Sequence, residues 1–163
     1  MKAGTTKKRV LSLLLCLCLC LGLLSTASLA ASTVTVKVEL TADYSSAYQE
    51  LEYLNQIRRE AGLNELAMDE GLMDMALLRA AECAVCFSHT RPTGENCDTA
   101  RPSGSAYENA AMGENILWGG GAIGPAKATD EWYNSPGHKA NMLYGDFNSV
   151  GIACVQDLLG NTY

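Results

Sequence analysis

Trp132-Tyr133-Asn134-Ser135-Pro136-Gly137-His138 is the stretch on which the reading of this chain turns. Pro125 suits the first turn of a helix that runs to about Asn134, with Trp132 as its core anchor. Ser135-Pro136 then restarts a short helix, serine as cap and proline at the first helical position. His138 therefore falls in a first turn, near the positive end of the helix dipole, which favours its neutral form. Neutral imidazole is the form that binds metal.

Working outward, the chain has two histidines in all, and the other lies in Phe87-Ser88-His89-Thr90-Arg91-Pro92. Between them comes Gly113-Glu114-Asn115-Ile116. Imidazole and carboxylate are the side chains that bind divalent metals or move protons near neutral pH, so both histidines in Gly/Pro-punctuated strings point to a shared site. His89 follows the end of a helix, where the dipole favours protonation unless a metal or a carboxylate governs it. Glu114 is the natural carboxylate.

These strings, with Val150-Gly151-Ile152-Ala153, occur in the order and approximate spacing of the bacterial branch of the CAP superfamily, named for cysteine-rich secretory proteins, antigen 5 and pathogenesis-related 1 proteins. The resemblance runs from about Tyr48 to the last residue. It implies an α+β fold, a three-layer α-β-α sandwich, over residues 47–163, with His89, His138 and acidic residues lining a central cleft. In that family Glu114 would hydrogen-bond or orient an imidazole. Many eukaryotic relatives carry a second glutamate three residues after the helix tryptophan, where this chain has Ser135. Glu131, one helical turn earlier on the same face, is the candidate substitute. The family's last strand continues through a Trp-Val-Gln-like segment, so Thr162-Tyr163 reads as the opening of an incomplete final strand, leaving an open core and an unpaired ladder edge.

The N-terminus has the layout of a secretory signal over residues 1–30: Lys2, Lys7, Lys8 and Arg9, an apolar run from Val10 to Leu24, and small residues around Ser28-Leu29-Ala30. The apolar run is about 15 residues, short of the roughly 20 that span a bilayer. Bulky neighbours around Cys16, Cys18 and Cys20 argue against a lipid-modified cysteine. Removing the four basic residues of the leader from the 12 Lys and Arg leaves eight against 18 Asp and Glu, a net charge near −10. Such a surface repels phosphate backbones, which disfavours nucleic acid and polybasic membrane attachment.

Four cysteines remain: Cys83, Cys86, Cys97 and Cys154. Outside the cell an even count suggests disulfides. Cys83 and Cys86 share one expected helix, so their partners are expected to be Cys97 and Cys154, in either of two schemes. A Cys-x-x-Cys redox motif normally opens a helix, whereas this one closes one. A four-thiolate zinc site would need a second clustered pair, and Cys97 and Cys154 are widely split.

Residues 31–46 read as an extended arm, with period-two alternation at Thr33-Val34-Thr35-Val36-Lys37-Val38 predicting a strand. Tyr48, Leu51, Leu54 and Ile57 recur at helical spacing until Gly62 stops the run. Asp69 caps a second helix whose stripe is Leu72, Met75 or Ala76, Arg79, Cys83 and Phe87. Arg79 interrupts that stripe, so its edge is expected to be partly solvated. Arg91 to Gly104 and the Trp118-Gly119-Gly120-Gly121 run read as loop and flexible turn, without the context of a phosphate cradle. Ser149 to Val155 predicts one strand and Asp157 to Asn161 a turn.

The function this supports is that of a secreted protein that binds an extracellular ligand, whether protein, glycan or lipid, through a His/Glu cleft. His89 and His138 are the metal-ligand candidates, with Zn²⁺ as the candidate ion and an open position for water. A metal-assisted hydrolase or peptidase is the second class, adhesion or cell-wall interaction the third. No Gly-x-Ser-x-Gly elbow supports a serine hydrolase.

Overall fold

The computed structural model describes residues 35–102, 107 and 109–163. The leader and the first residues of the arm lie outside the described residues, among which no helix is long and apolar enough to cross a membrane.

Helix α1 (Tyr44–Glu60) starts where Asp43 accepts a hydrogen bond from the Ser46 amide at 3.0 Å, and it gives way at Gly62, whose φ of 72° suits a residue without Cβ. Its buried face is Ala47, Glu50, Leu51, Leu54, Asn55 and Arg58. Tyr48, expected on the stripe, is exposed. The helix is turned so that three polar residues go inside, each with partners supplied from elsewhere. Asn55 exchanges both hydrogen bonds of its amide with the backbone of Leu66, at 3.0 and 2.8 Å.

Strand β1 (Leu40–Ala42) precedes α1, and β2 (Ala67–Met68) follows it. Helix α2 (Glu70–Val85) is capped by Asp69, whose carboxylate accepts from the Leu72 amide at 2.9 Å. A short 3₁₀ turn at Cys97–Ala100 interrupts the following loop. Helix α3 (Pro125–Tyr133) and helix α4 (Pro136–Met142) both begin with proline in the first turn. Ser135 occupies the cap position of α4, but its hydroxyl makes no capping bond. Strands β3 (Ser149–Val150) and β4 (Val155–Asp157) complete the order.

The strands form two small ladders. β1 pairs antiparallel with β4, Ala42 opposite Val155, and β2 pairs parallel with β3, Met68 opposite Val150. Helix α1 packs on α3, and α3 on α4, while α2 contacts β4. Helices thus flank the strands in an α-β-α arrangement. The core cluster is Ala47, Leu51, Leu54, Leu66, Met142 and Ile152, with Trp132 and Phe147 half-buried against it.

Two strand expectations need correction. Residues 35–39 of the alternating arm form no strand; the strand begins at Leu40, where β4 supplies a partner. The single strand expected over Ser149–Val155 is broken in two at Gly151, because a Cβ there would collide with the Leu72 carbonyl group. Only glycine lets the chain pass this close to α2. Farther on, Thr162 exchanges backbone hydrogen bonds with Gly119 at 3.1 and 3.0 Å, and Tyr163 with Val155 at 3.1 and 3.0 Å.

Candidate functional site

Helix α2 delivers Arg79 to the interior rather than to a solvated edge, and this overturns the expectation for its stripe. The guanidinium is a buried hub. Its Nε donates to Glu114 Oε2 at 2.7 Å, Nη2 to Glu114 Oε1 at 3.2 Å and to the Ser88 carbonyl at 2.7 Å, and Nη1 to Glu82. Glu82 is also held by Arg91, whose Nη2 donates at 2.7 Å. The carboxylates raise the affinity of Arg79 for its proton, with Glu114 the larger influence, and the guanidinium groups of Arg91 and Arg79 draw Glu82 below the ordinary range despite its burial.

His89, exposed beyond the end of α2, joins this chain of alternating charge through Nδ1, 2.8 Å from Glu114 Oε1. A carboxylate only accepts, so Nδ1 donates and Nε2 is left facing outward. Glu114 orients His89, while Arg79 orients Glu114. The Ser88 carbonyl held by Arg79 fixes the backbone just before the imidazole.

His138 comes to the site from α4. Its carbonyl accepts from Asn115 Nδ2 at 3.1 Å, and Asn141 Nδ2 donates to Asn115 Oδ1 at 2.9 Å and to the Glu114 carbonyl at 3.3 Å. Two asparagines thus pin the Glu114 segment to the helix carrying His138. Gly113 is required in this seam, since a Cβ would stand 2.7 Å from Asn141 Oδ1. Burial lowers the His138 pKa, and the neighbouring His89 lowers it further.

Glu131 is exposed and makes no hydrogen bond or ion pair with His89, Glu114 or His138. Ser135 is half-buried at the start of α4, where its carbonyl accepts from the Lys139 amide at 2.8 Å. Sequence reasoning missed Arg79, Asn115 and Asn141. The available signal was Arg79 on an apolar stripe three residues before Glu82, a spacing that pairs opposite charges on a helix.

As metal donors, the outward Nε2 of His89 and the His138 ring are available, but three of the four lone pairs of Glu114 are already engaged by Arg79 and His89. Among the described residues no group of three His, Cys, Asp or Glu is arranged to hold a metal ion. The donor set is two imidazoles, one short of the three protein ligands usual for catalytic zinc.

All four cysteines of the domain are free thiols, so the expected disulfide is not formed. Cys83 is buried against Arg79 and the Ser88 carbonyl, whereas Cys154 lies against Glu50 of α1, at 3.8 Å. Cys86 is exposed.

Beneath the polar network lies a cavity of about 550 Å³. Arg79 and Glu114 reach its wall, and neither histidine does.

Comparison with known proteins gives four likenesses. Residues 51–162 match the model of the cysteine-rich secretory protein family, CAP. The chain is 32% identical over 139 residues to YkwD, an uncharacterized protein of Bacillus subtilis (strain 168), with 81% of this chain and 52% of that protein covered. It thus spans about half the length of that relative. Among solved structures it is similar in fold to an outer surface protein from Borrelia burgdorferi, with TM-score 0.60, 16% identity, and coverage of 77% of this chain and 92% of that one. It is similar also to an extracellular protein containing a SCP domain from Bacillus anthracis str. Ames, with TM-score 0.55, 22% identity, and coverage of 74% and 40%.

Proposed function

Since the chain belongs to the cysteine-rich secretory protein family, CAP, we propose that it is an extracellular protein that acts by binding, with His89, Glu114 and His138 as its recognition site. The observation that carries this is the committed state of Glu114, gripped by Arg79 on both oxygens and by His89 on one. A carboxylate so engaged positions an imidazole and is poorly placed to activate water. The outward Nε2 of His89 and the neutral ring of His138 offer hydrogen-bond donors and acceptors to a polar ligand group. Solved structures of similar fold include an outer surface protein and an extracellular protein, which supports the location together with the signal-like leader.

A divalent cation is the second reading, favoured by the burial that keeps His138 neutral. His89 and His138 would hold it, leaving its remaining positions to water and ligand; when bound it would supply Lewis acidity. The metal-assisted hydrolase has less support, because among the described residues no third ligand and no free general base accompany the imidazoles.

The test is calorimetry of the secreted domain with Zn²⁺ beside a screen against peptides, glycans and lipids. Ligand retention that is lost in both His89→Ala and His138→Ala, and kept in Glu131→Ala, supports the reading. Hydrolysis of peptide or cell-wall material that depends on added metal would replace it with the enzymatic one.

A further inference from the structure

Glu50 stands apart from the site at the histidines. It projects from the buried face of α1 into the 550 Å³ cavity, 3% exposed, among walls that include Leu54, Leu66, Met75, Ile116, Trp132 and Ile152. Its partners are weak. The Thr129 hydroxyl lies 3.4 Å from Oε1 but 2.9 Å from the Pro125 carbonyl, and its single proton goes to the nearer acceptor. The Cys154 thiol, 3.8 Å from Oε2, is a feeble donor. No Lys, Arg or His among the described residues pairs with it. The buried guanidinium groups of Arg58 and Arg79, by contrast, have found carbonyls or carboxylates, as burial demands.

We propose that this cavity is a binding site for a hydrophobic organic cation, an alkyl or arylalkyl ammonium whose charged head pairs with Glu50 and whose apolar body fills the space beside Trp132. The volume lies within the span of about 300–1,000 Å³ typical of small-molecule sites, and the lining is mostly apolar; Arg79 and Glu114 on its wall pair with each other, whereas the Glu50 carboxyl has only Thr129 and Cys154. An ammonium head supplies the charge-assisted hydrogen bonds that Thr129 and Cys154 do not. A neutral alcohol would leave the carboxylate uncompensated, and a carboxylic acid would bring like charge beside it.

In the empty protein, burial pushes the Glu50 carboxyl up to about 7. The groups facing it are Thr129 from α3 and Cys154 from the segment before β4, whose thiol is pushed up to about 12 and stays neutral throughout the range. Asp43, at the cap of α1, acts on Cys154. A bound ammonium favours the carboxylate, so binding near pH 6 releases a proton and affinity rises toward pH 8.

The experiment titrates the protein with n-octylammonium, 1-octanol and octanoate, read by calorimetry and by the fluorescence of the tryptophans. Octylammonium is expected to bind one per chain and at least about tenfold tighter than 1-octanol at pH 8, with Glu50→Gln removing that preference and leaving 1-octanol within about twofold. Calorimetry at pH 6 in buffers of different ionisation heat should show proton release, a readout that needs no variant. Equal binding of all three probes, tightest binding of octanoate, no binding by any of them, or a Glu50→Gln protein that keeps its preference would each overturn the proposal. Loss of the His89 or His138 side chain should leave octylammonium binding unchanged, which separates this site from the recognition site proposed above.

Discussion

Arg79 holds Glu114 by two hydrogen bonds, Nε to Oε2 at 2.7 Å and Nη2 to Oε1 at 3.2 Å, with its own side chain 4% exposed and that of Glu114 12%. The pair joins the middle of α2 to a segment with no regular secondary structure. It gives that segment a fixed carboxylate.

Removing the cation should therefore cost more than removing one hydrogen bond. Arg79→Met leaves Glu82 and Glu114 facing each other without their shared partner, and a loss of about 3–5 kcal/mol is expected in chemical denaturation. Glu114→Gln keeps the shape and should cost less. A loss under about 1 kcal/mol for Arg79→Met would show that the pair is not what holds the segment.

Arg58 is fully buried and has no carboxylate. It donates to the carbonyls of Asn64 at 2.8 Å, Met142 at 2.8 Å, Tyr144 at 3.1 Å and Phe147 at 3.2 Å. Arg58→Lys retains charge but loses the fork that reaches four acceptors, so both Arg58→Lys and Arg58→Met should destabilise by about 2 kcal/mol or more. Thermal unfolding checks it; a lysine variant as stable as the parent would contradict the geometry.

The raised pKa of Glu50 sets a pH dependence of stability. The folded carboxyl, at about 7, holds its proton more tightly than the ordinary group at 4.5, so its contribution is complete below pH 4.5 and is lost as pH rises toward and through 7. Glu50→Gln should flatten that fall, gaining on the order of 2–3 kcal/mol at pH 8 while changing little at pH 4. Denaturation series at the two pH values decide it.

His138 behaves in the opposite sense, with its pKa lowered first by burial and then by His89. Its contribution to stability is full above the unfolded value near 6.5 and declines as pH falls below it. His89→Ala should raise the His138 pKa part of the way back, since burial remains. An NMR titration of the ring protons reads this directly, and an unchanged value would place the imidazoles out of electrostatic contact.

The helices were legible in the sequence because their ends carry chemical marks: Asp69 as a cap, Gly62 as a stop, Pro125 and Pro136 in first turns; the Asp43 cap came only from the structure. The strands were less so. Runs of two or three residues hold no reliable period, and β1 is placed by its partner β4 rather than by the alternation of Thr33–Val38. At the site, the motif strings carried His89, Glu114 and His138, while Arg79 and Arg58 were hidden by their own type. A basic residue on an apolar stripe reads as a solvated edge until the carboxylates or carbonyls that receive it come from 35 or 84 positions away.

The Arg58 fork also bears on which parts of the molecule open together. Three of its acceptors lie 84 to 89 residues along the chain, at the end of α4 and in the loop beyond, so one side chain fastens the first helix to the last. Closing so long a loop costs entropy that only cooperative packing recovers. The helix bearing His138 should then exchange its amide hydrogens through the same opening as α1, slowly and as one unit, while the segment from Arg91 to Pro102 exchanges independently. Ligand captured at the histidines would thereby slow exchange in α1, a helix that contributes no residue to the site.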